Sequence, residues 1–133
     1  MSKHAPLPAP TELGFPSKFK SWYGAVVWLA GWLEGEGSFT GDRRSPRITV
    51  QSSDVDVVEL AANILQVPYY AIRKDTKHPT RKPLWYLSVC GVRAIGWMFI
   101  LYSLMGSRRK DSIRNAVISW HTQRKPGPQK MVK

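Results

Sequence analysis

The sequence predicts an α+β fold with the element order αββαββαα: a four-stranded antiparallel sheet with one open face and helices behind it. Three observations carry this. A charge-free apolar run, WYGAVVWLAGWL, reads as a buried helix. Two stretches, around RITVQ and LWYLSV, alternate with the period of strands. Two apolar or amphipathic helical stretches close the chain. A length of 133 residues and 15.1 kDa fits one domain.

The elements follow in order. Residues 1–16 hold four prolines and little periodicity, which predicts a mobile Pro-rich arm; the folded domain spans 17–122 and residues 123–133 form a basic flexible tail. The first helix runs from about Trp22 to Glu36 and stops at Gly37, read as a left-handed C-terminal cap. A strand at Ser38–Thr40 turns through Asp42, Arg43 and Arg44 into a second, in which Ile48 and Val50 alternate with Arg47, Thr49 and Gln51. Ser53 with Asp56 reads as a capping box opening a helix to about Leu65. Tyr69–Lys74 and Leu84–Val89 make a second strand pair joined by a basic loop. The segment RAIGWMFILYSLMG then gives an apolar helix, and SRRKDSIRNAVISWH an amphipathic one with Ile113, Val117 and Trp120 on one face. The expected core comprises Phe39, Ile48, Val50, Trp85, Leu87, Val89, Trp97, Phe99, Ile100 and Leu101, with Cys90 as a small core residue.

Twenty Lys and Arg against nine Asp and Glu give a net charge of +11, and 43% of residues are hydrophobic. That combination describes a folded protein with a polyanionic partner rather than a disordered polycation. A lone cysteine and no signal-like N-terminus predict an intracellular protein. The Leu84–Met105 segment is not a membrane span, because it contains Arg93 and alternates in its first half. The three histidines, His4, His78 and His121, are scattered without metal-ligand spacing.

The first helix is unusual in having no polar stripe, so its far side needs a cover. A second copy of the chain is the economical one, with Gly24, Trp28, Gly31 and Gly35 on the shared face; packing on the chain's own C-terminal helices is the alternative. Glu34 and Glu36 then stand at the negative end of this helix, among unpaired carbonyls. Something positive must compensate, either Lys or Arg side chains or a divalent cation, since Mg²⁺ accepts one or two carboxylates with backbone and water oxygens.

The run LAGWLEGEGSF, Leu29 to Phe39, resembles the signature of the LAGLIDADG homing endonucleases, with Glu34 and Glu36 at the acidic positions. It occurs once, and single-motif members are homodimers paired through this helix. The resemblance implies the homing-endonuclease fold, its four strands forming a saddle on double-stranded DNA. It implies site-specific double-strand cleavage of a long pseudo-palindromic target by metal-dependent phosphodiester hydrolysis, with Mg²⁺ or Mn²⁺ as cofactor. Glu36 and the carbonyl of Gly35 would hold the metal, and Glu34 would be structural. Gln51 would organise water and Arg108 would meet the scissile phosphate, with Arg109 and Lys110 as alternatives. Glu replaces the motif's Asp, and an arginine at the basic position acts as a charge but not as a proton shuttle.

The DNA surface is read as Ser38, Thr40, Arg47, Thr49 and Gln51 on the first strand pair, with Arg43 and Arg44 at its tip. On the second pair it is Ala71, Arg73, Leu84, Tyr86 and Ser88. Arg47 and Arg73 suit guanine, Gln51 adenine when the active site leaves it free, and Tyr86 a thymine methyl, while Lys74, Lys77, Arg81 and Lys82 suit phosphates; the resemblance adds Arg109 and Lys110 to the DNA-binding set. The rival expectation is a non-cleaving binder on the same scaffold, an intron RNA maturase or a DNA-binding regulator; RNA enters only in that case.

Overall fold

The computed structural model describes residues 19–41, 45–72 and 82–124, without the side chain of Arg124. The Pro-rich arm, most of the basic tail, the first hairpin tip and most of the loop between the second strand pair lie outside them. Within the described residues the order is α1 (Trp22–Glu36), β1 (Gly37–Thr40), β2 (Arg47–Ser52), α2 (Val55–Leu65), β3 (Tyr69–Ala71), β4 (Trp85–Cys90), α3 (Val92–Leu101), a 3₁₀ turn at Tyr102–Leu104 and α4 (Ser107–Arg124). The chain is thus α+β, and its four strands form one open antiparallel sheet in the order β1-β2-β4-β3. No helix of the described residues is long and apolar enough to cross a membrane.

Ser21 starts α1 by accepting a hydrogen bond from the Gly24 amide at 3.0 Å, which satisfies one of the orphan donors of the first turn. The helix buries Ala25, Val26, Leu29, Ala30 and Leu33 against the sheet and α2. From the sheet Phe39, Ile48, Val50, Leu87 and Val89 enter the same core, and α3 adds Trp97, Met98 and Leu101. Each buried aliphatic or aromatic side chain is worth about 1.5–3 kcal/mol of transfer free energy.

Five expectations need correction. Gly37 is extended (φ −84°, ψ 160°) and not left-handed. Glycine is required there because a Cβ would lie 2.9 Å from the Leu33 carbonyl oxygen. The capping box at Ser53 does not form: β2 continues through Ser52, whose hydroxyl accepts from the Asp54 amide at 3.1 Å, and Asp54 is the N-cap, without a side-chain cap bond. The apolar helix at RAIGWMFILYSLMG breaks at Leu101 into the 3₁₀ turn. Phe99 and Ile100 are exposed, since α3 can turn only one face to the core and Ala94, Ile95, Trp97, Met98 and Leu101 already fill it. Cys90 is also exposed, because strand alternation from buried Leu87 and Val89 turns it to the open face.

Two joints to backbone carbonyls tie the helices down, one to a neighbouring helix and one to the sheet edge. Arg93 donates to the carbonyls of Leu65 and Gln66 at 2.9 and 3.0 Å, closing the C-terminus of α2. At the other edge α4 runs beside β1 and seats Ala116 on Gly41, while Ser119 donates to the Gly41 carbonyl at 2.9 Å.

Candidate active site and nucleic-acid interface

The two carboxylates at the end of α1 have separate fates. Glu34 is half-buried, and its side chain accepts a hydrogen bond from the Gly106 amide at 2.7 Å. Gly106 immediately precedes α4, and its carbonyl takes the first bond of that helix, from Lys110 at 2.9 Å. Glu34 therefore places its charge on the positive end of α4. In return Arg109 of α4 donates from Nε to the Glu34 backbone carbonyl at 3.0 Å, putting a cation on the negative end of α1. Each helix closes the other's terminus.

Glu36 is left over. It is exposed and forms no side-chain hydrogen bond or ion pair with a described residue. Its position is set by the sheet. Gly37 pairs with Val50, so Glu36 and Gln51 stand one position further, at the same end of the β1–β2 ladder. Gln51 is exposed on the open face. Arg108, also exposed, sits in the first turn of α4, two residues beyond the amide that Glu34 holds. The α1 terminus, the ladder end and the start of α4 thus meet in one place. Of the alternatives at the basic position, Arg109 is engaged by Glu34 and Lys110 lies 5.4 Å from the Tyr102 ring centroid, leaving Arg108 the least engaged.

Among the described residues no three His, Cys, Asp or Glu side chains gather into a metal cluster. One chain offers a single open carboxylate at the carbonyl end of a helix, beside the exposed Gly35. That donor set fits a hard divalent ion, which takes one or two carboxylates and fills the rest with backbone and water oxygens.

The open face of the sheet carries Ser38 and Thr40 on β1, Arg47, Thr49 and Gln51 on β2, and Tyr86 and Ser88 on β4. Register aligns them in rows: Thr40 with Arg47 and Cys90, Ser38 with Thr49 and Ser88, Gln51 with Tyr86. Leu84 and Lys82, just before β4, are exposed. Ala71 is misplaced by the sequence reading. It pairs with Trp85, so it belongs to the core-facing side, and Tyr70, opposite Tyr86, is the open-face residue of β3. In Tyr-Tyr-Ala no polar and apolar alternation sets the phase, so only pairing could reveal it. Arg43, Arg44, Arg73, Lys74, Lys77 and Arg81 lie outside the described residues.

The predicted dimer face keeps an open side. Gly31 and Gly35 are exposed, and a Cβ on either meets nothing within 4 Å. Tyr23 and Val27 flank them at 67% and 42% exposure, so the stripe is apolar and uncovered by the described residues. Gly24 is half-buried near Ser21, and Trp28 is half-buried in a stack with Trp32 at 5.8 Å. The chain's own C-terminal helices touch α1 from the other side, where Trp97 meets Trp22 at 5.7 Å.

Comparisons of the chain with protein-family models, with curated proteins and with solved structures found no match.

Proposed function

We propose that this chain is the subunit of a homodimeric, single-motif LAGLIDADG-type homing endonuclease, which makes a site-specific double-strand break in a pseudo-palindromic DNA target with Mg²⁺ or Mn²⁺. The observation that carries the reading is the unequal treatment of the two motif acids. Glu34 is used up in joining α1 to α4, whereas Glu36 is exposed and has no partner among the described residues, at the same sheet end as Gln51 and near the start of α4. An unpaired carboxylate at the negative end of a helix is locally unfavourable. A cation binding there explains its presence.

Glu36 and the Gly35 carbonyl would hold the ion, with Glu36 of a second copy alongside if the open stripes of two α1 helices pair. The bound ion supplies charge neutralisation at the scissile phosphate and a more acidic water. Gln51 has both an amide donor and an acceptor with which to orient that water. Arg108 neutralises phosphate charge and moves no proton. The polar row residues of β1, β2 and β4 carry donors and acceptors for base edges in a major groove, and the excess positive charge draws the backbone in.

The test uses the intact protein with duplexes selected from a random pool. Wild type should cut only with Mg²⁺ or Mn²⁺ and bind without cutting in Ca²⁺. Glu36→Gln should bind with near wild-type affinity and not cut. Cutting that survives this substitution removes the reading, and binding with no metal-dependent cutting by wild type turns it to the non-cleaving binder.

A further inference from the structure

The open face of the sheet has two chemically different halves. The β1–β2 half presents Ser38, Thr40, Arg47, Thr49 and Gln51, whose side chains all carry hydrogen-bond donors or acceptors. On the β4–β3 half, beyond Ser88, rings and aliphatic chains take over. Tyr70 stands opposite Tyr86 in register, and their rings stack at 6.5 Å with an interplanar angle of 26°. One step along, the Ile72 amide donates to the Leu84 carbonyl at 2.7 Å, which extends the ladder and makes Ile72 and Leu84 the next cross-strand neighbours. Alternation puts these two on the same face as the tyrosines. Tyr70 is 54% exposed and Leu84 41%. The four form an aromatic and aliphatic patch facing water, on a surface that elsewhere is polar.

Its surroundings identify what covers it. The patch is continuous with the hydrogen-bonding half, since Tyr86 pairs with Gln51 across β2 and β4. Exposed Lys82 lies beside Leu84, and the whole chain carries +11. The occupant must therefore be a polyanion that also offers small apolar groups to a sheet surface. Duplex DNA does both. The C5-methyl of thymine is the apolar group that base pairs display in the major groove, and uracil lacks it.

We propose that Tyr70, Ile72, Leu84 and Tyr86 determine specificity by packing on thymine methyl groups, so that one half of the sheet reads methyls and the other reads hydrogen-bonding edges. This rests on the DNA-binding reading above and names which chemistry of the target the second strand pair selects.

Duplexes selected by the wild-type protein from a random pool in Ca²⁺ are rebuilt with deoxyuridine in place of thymidine, which deletes the methyl and keeps every hydrogen-bonding atom of the base. Wild type should bind the rebuilt duplex about fourfold more weakly for each methyl contacted. Tyr70→Ser with Leu84→Ser should discriminate between the two duplexes less than wild type does, Tyr86 and Ile72 keeping the remainder; both substituted positions are exposed, and circular dichroism checks that the fold is kept. Wild-type indifference to the methyl overturns this inference and leaves the DNA reading standing. Failure to select any duplex, or tighter binding to the same sequence as RNA, overturns both. A change in association state in the double variant assigns the patch to a second copy and also overturns the inference.

Discussion

The Glu34 carboxylate accepts a hydrogen bond from the Gly106 amide at 2.7 Å, joining two helices across 72 residues of sequence. Glu34→Ala should lower unfolding free energy by about 1 kcal/mol, the usual scale for a lost helix-terminal acceptor. Glu34→Gln keeps an acceptor and should cost less. Glu36→Gln, with no partner to lose, should stay within about 0.5 kcal/mol of wild type. Denaturant midpoints at unchanged m-value check all three. A larger loss at Glu36 than at Glu34 would reverse the roles assigned to the two acids.

Gly31 separates helix stability from association. Nothing lies within 4 Å of a Cβ there, so Gly31→Ala should stabilise the isolated subunit by up to about 1 kcal/mol through helix propensity alone. The same methyl holds two α1 helices apart and should weaken self-association, and Gly31→Glu should give a folded monomer. Sedimentation equilibrium reads the association. Unchanged dimerisation in Gly31→Glu would place the interface elsewhere, and a monomeric wild type would remove it.

Gly41 behaves oppositely. A Cβ at this position would fall 2.4 Å from the Ala116 Cα, backbone that cannot swing aside. Gly41→Ala should therefore cost about 1–3 kcal/mol by forcing α4 from β1. Gly96→Ala in α3, where a Cβ meets nothing within 4 Å, serves as the control and should be neutral or stabilising. Thermal unfolding of the pair tests whether α4 is seated on the edge strand.

Tyr69 supplies a pH dependence. Its hydroxyl donates to the Glu59 carboxylate at 3.1 Å, and that bond, then burial, then the negative charge of Glu59 raise the phenol above its ordinary value. A raised pKa in the folded state means that the contribution is complete below the unfolded value and is lost as pH rises through the folded one. Tyr69→Phe should therefore lower stability slightly at neutral pH, where the contribution is present, and abolish its loss in alkali. Ultraviolet titration of the phenols checks this, by comparing wild type with the variant that lacks the Tyr69 phenol.

Local pattern sufficed wherever one residue type answered to one period. The bounds of α1, the alternation of Ile48 and Val50 with Arg47, Thr49 and Gln51, and the position of α4 were all legible, because a buried face leaves its periodicity in the chain. The pattern failed where several environments accept the same residue. Phe99 and Ile100 read as core because α3 is apolar on more faces than one neighbour can cover, and β3 gave no phase because tyrosine suits both sides of a sheet.

The sequence by itself determined the α+β order, the basic character and the pairing of two acids with glycines at the end of an apolar helix. Only the tertiary structure decided which acid is free. The motif resemblance gave Glu36 to a metal and Glu34 a structural place, but the two side chains are chemically identical and two residues apart, so their own chemistry does not show which one finds a partner. The difference arises because the chain returns, 72 residues later, to present the Gly106 amide and then the Arg109 guanidinium of α4 to Glu34 and neither to Glu36.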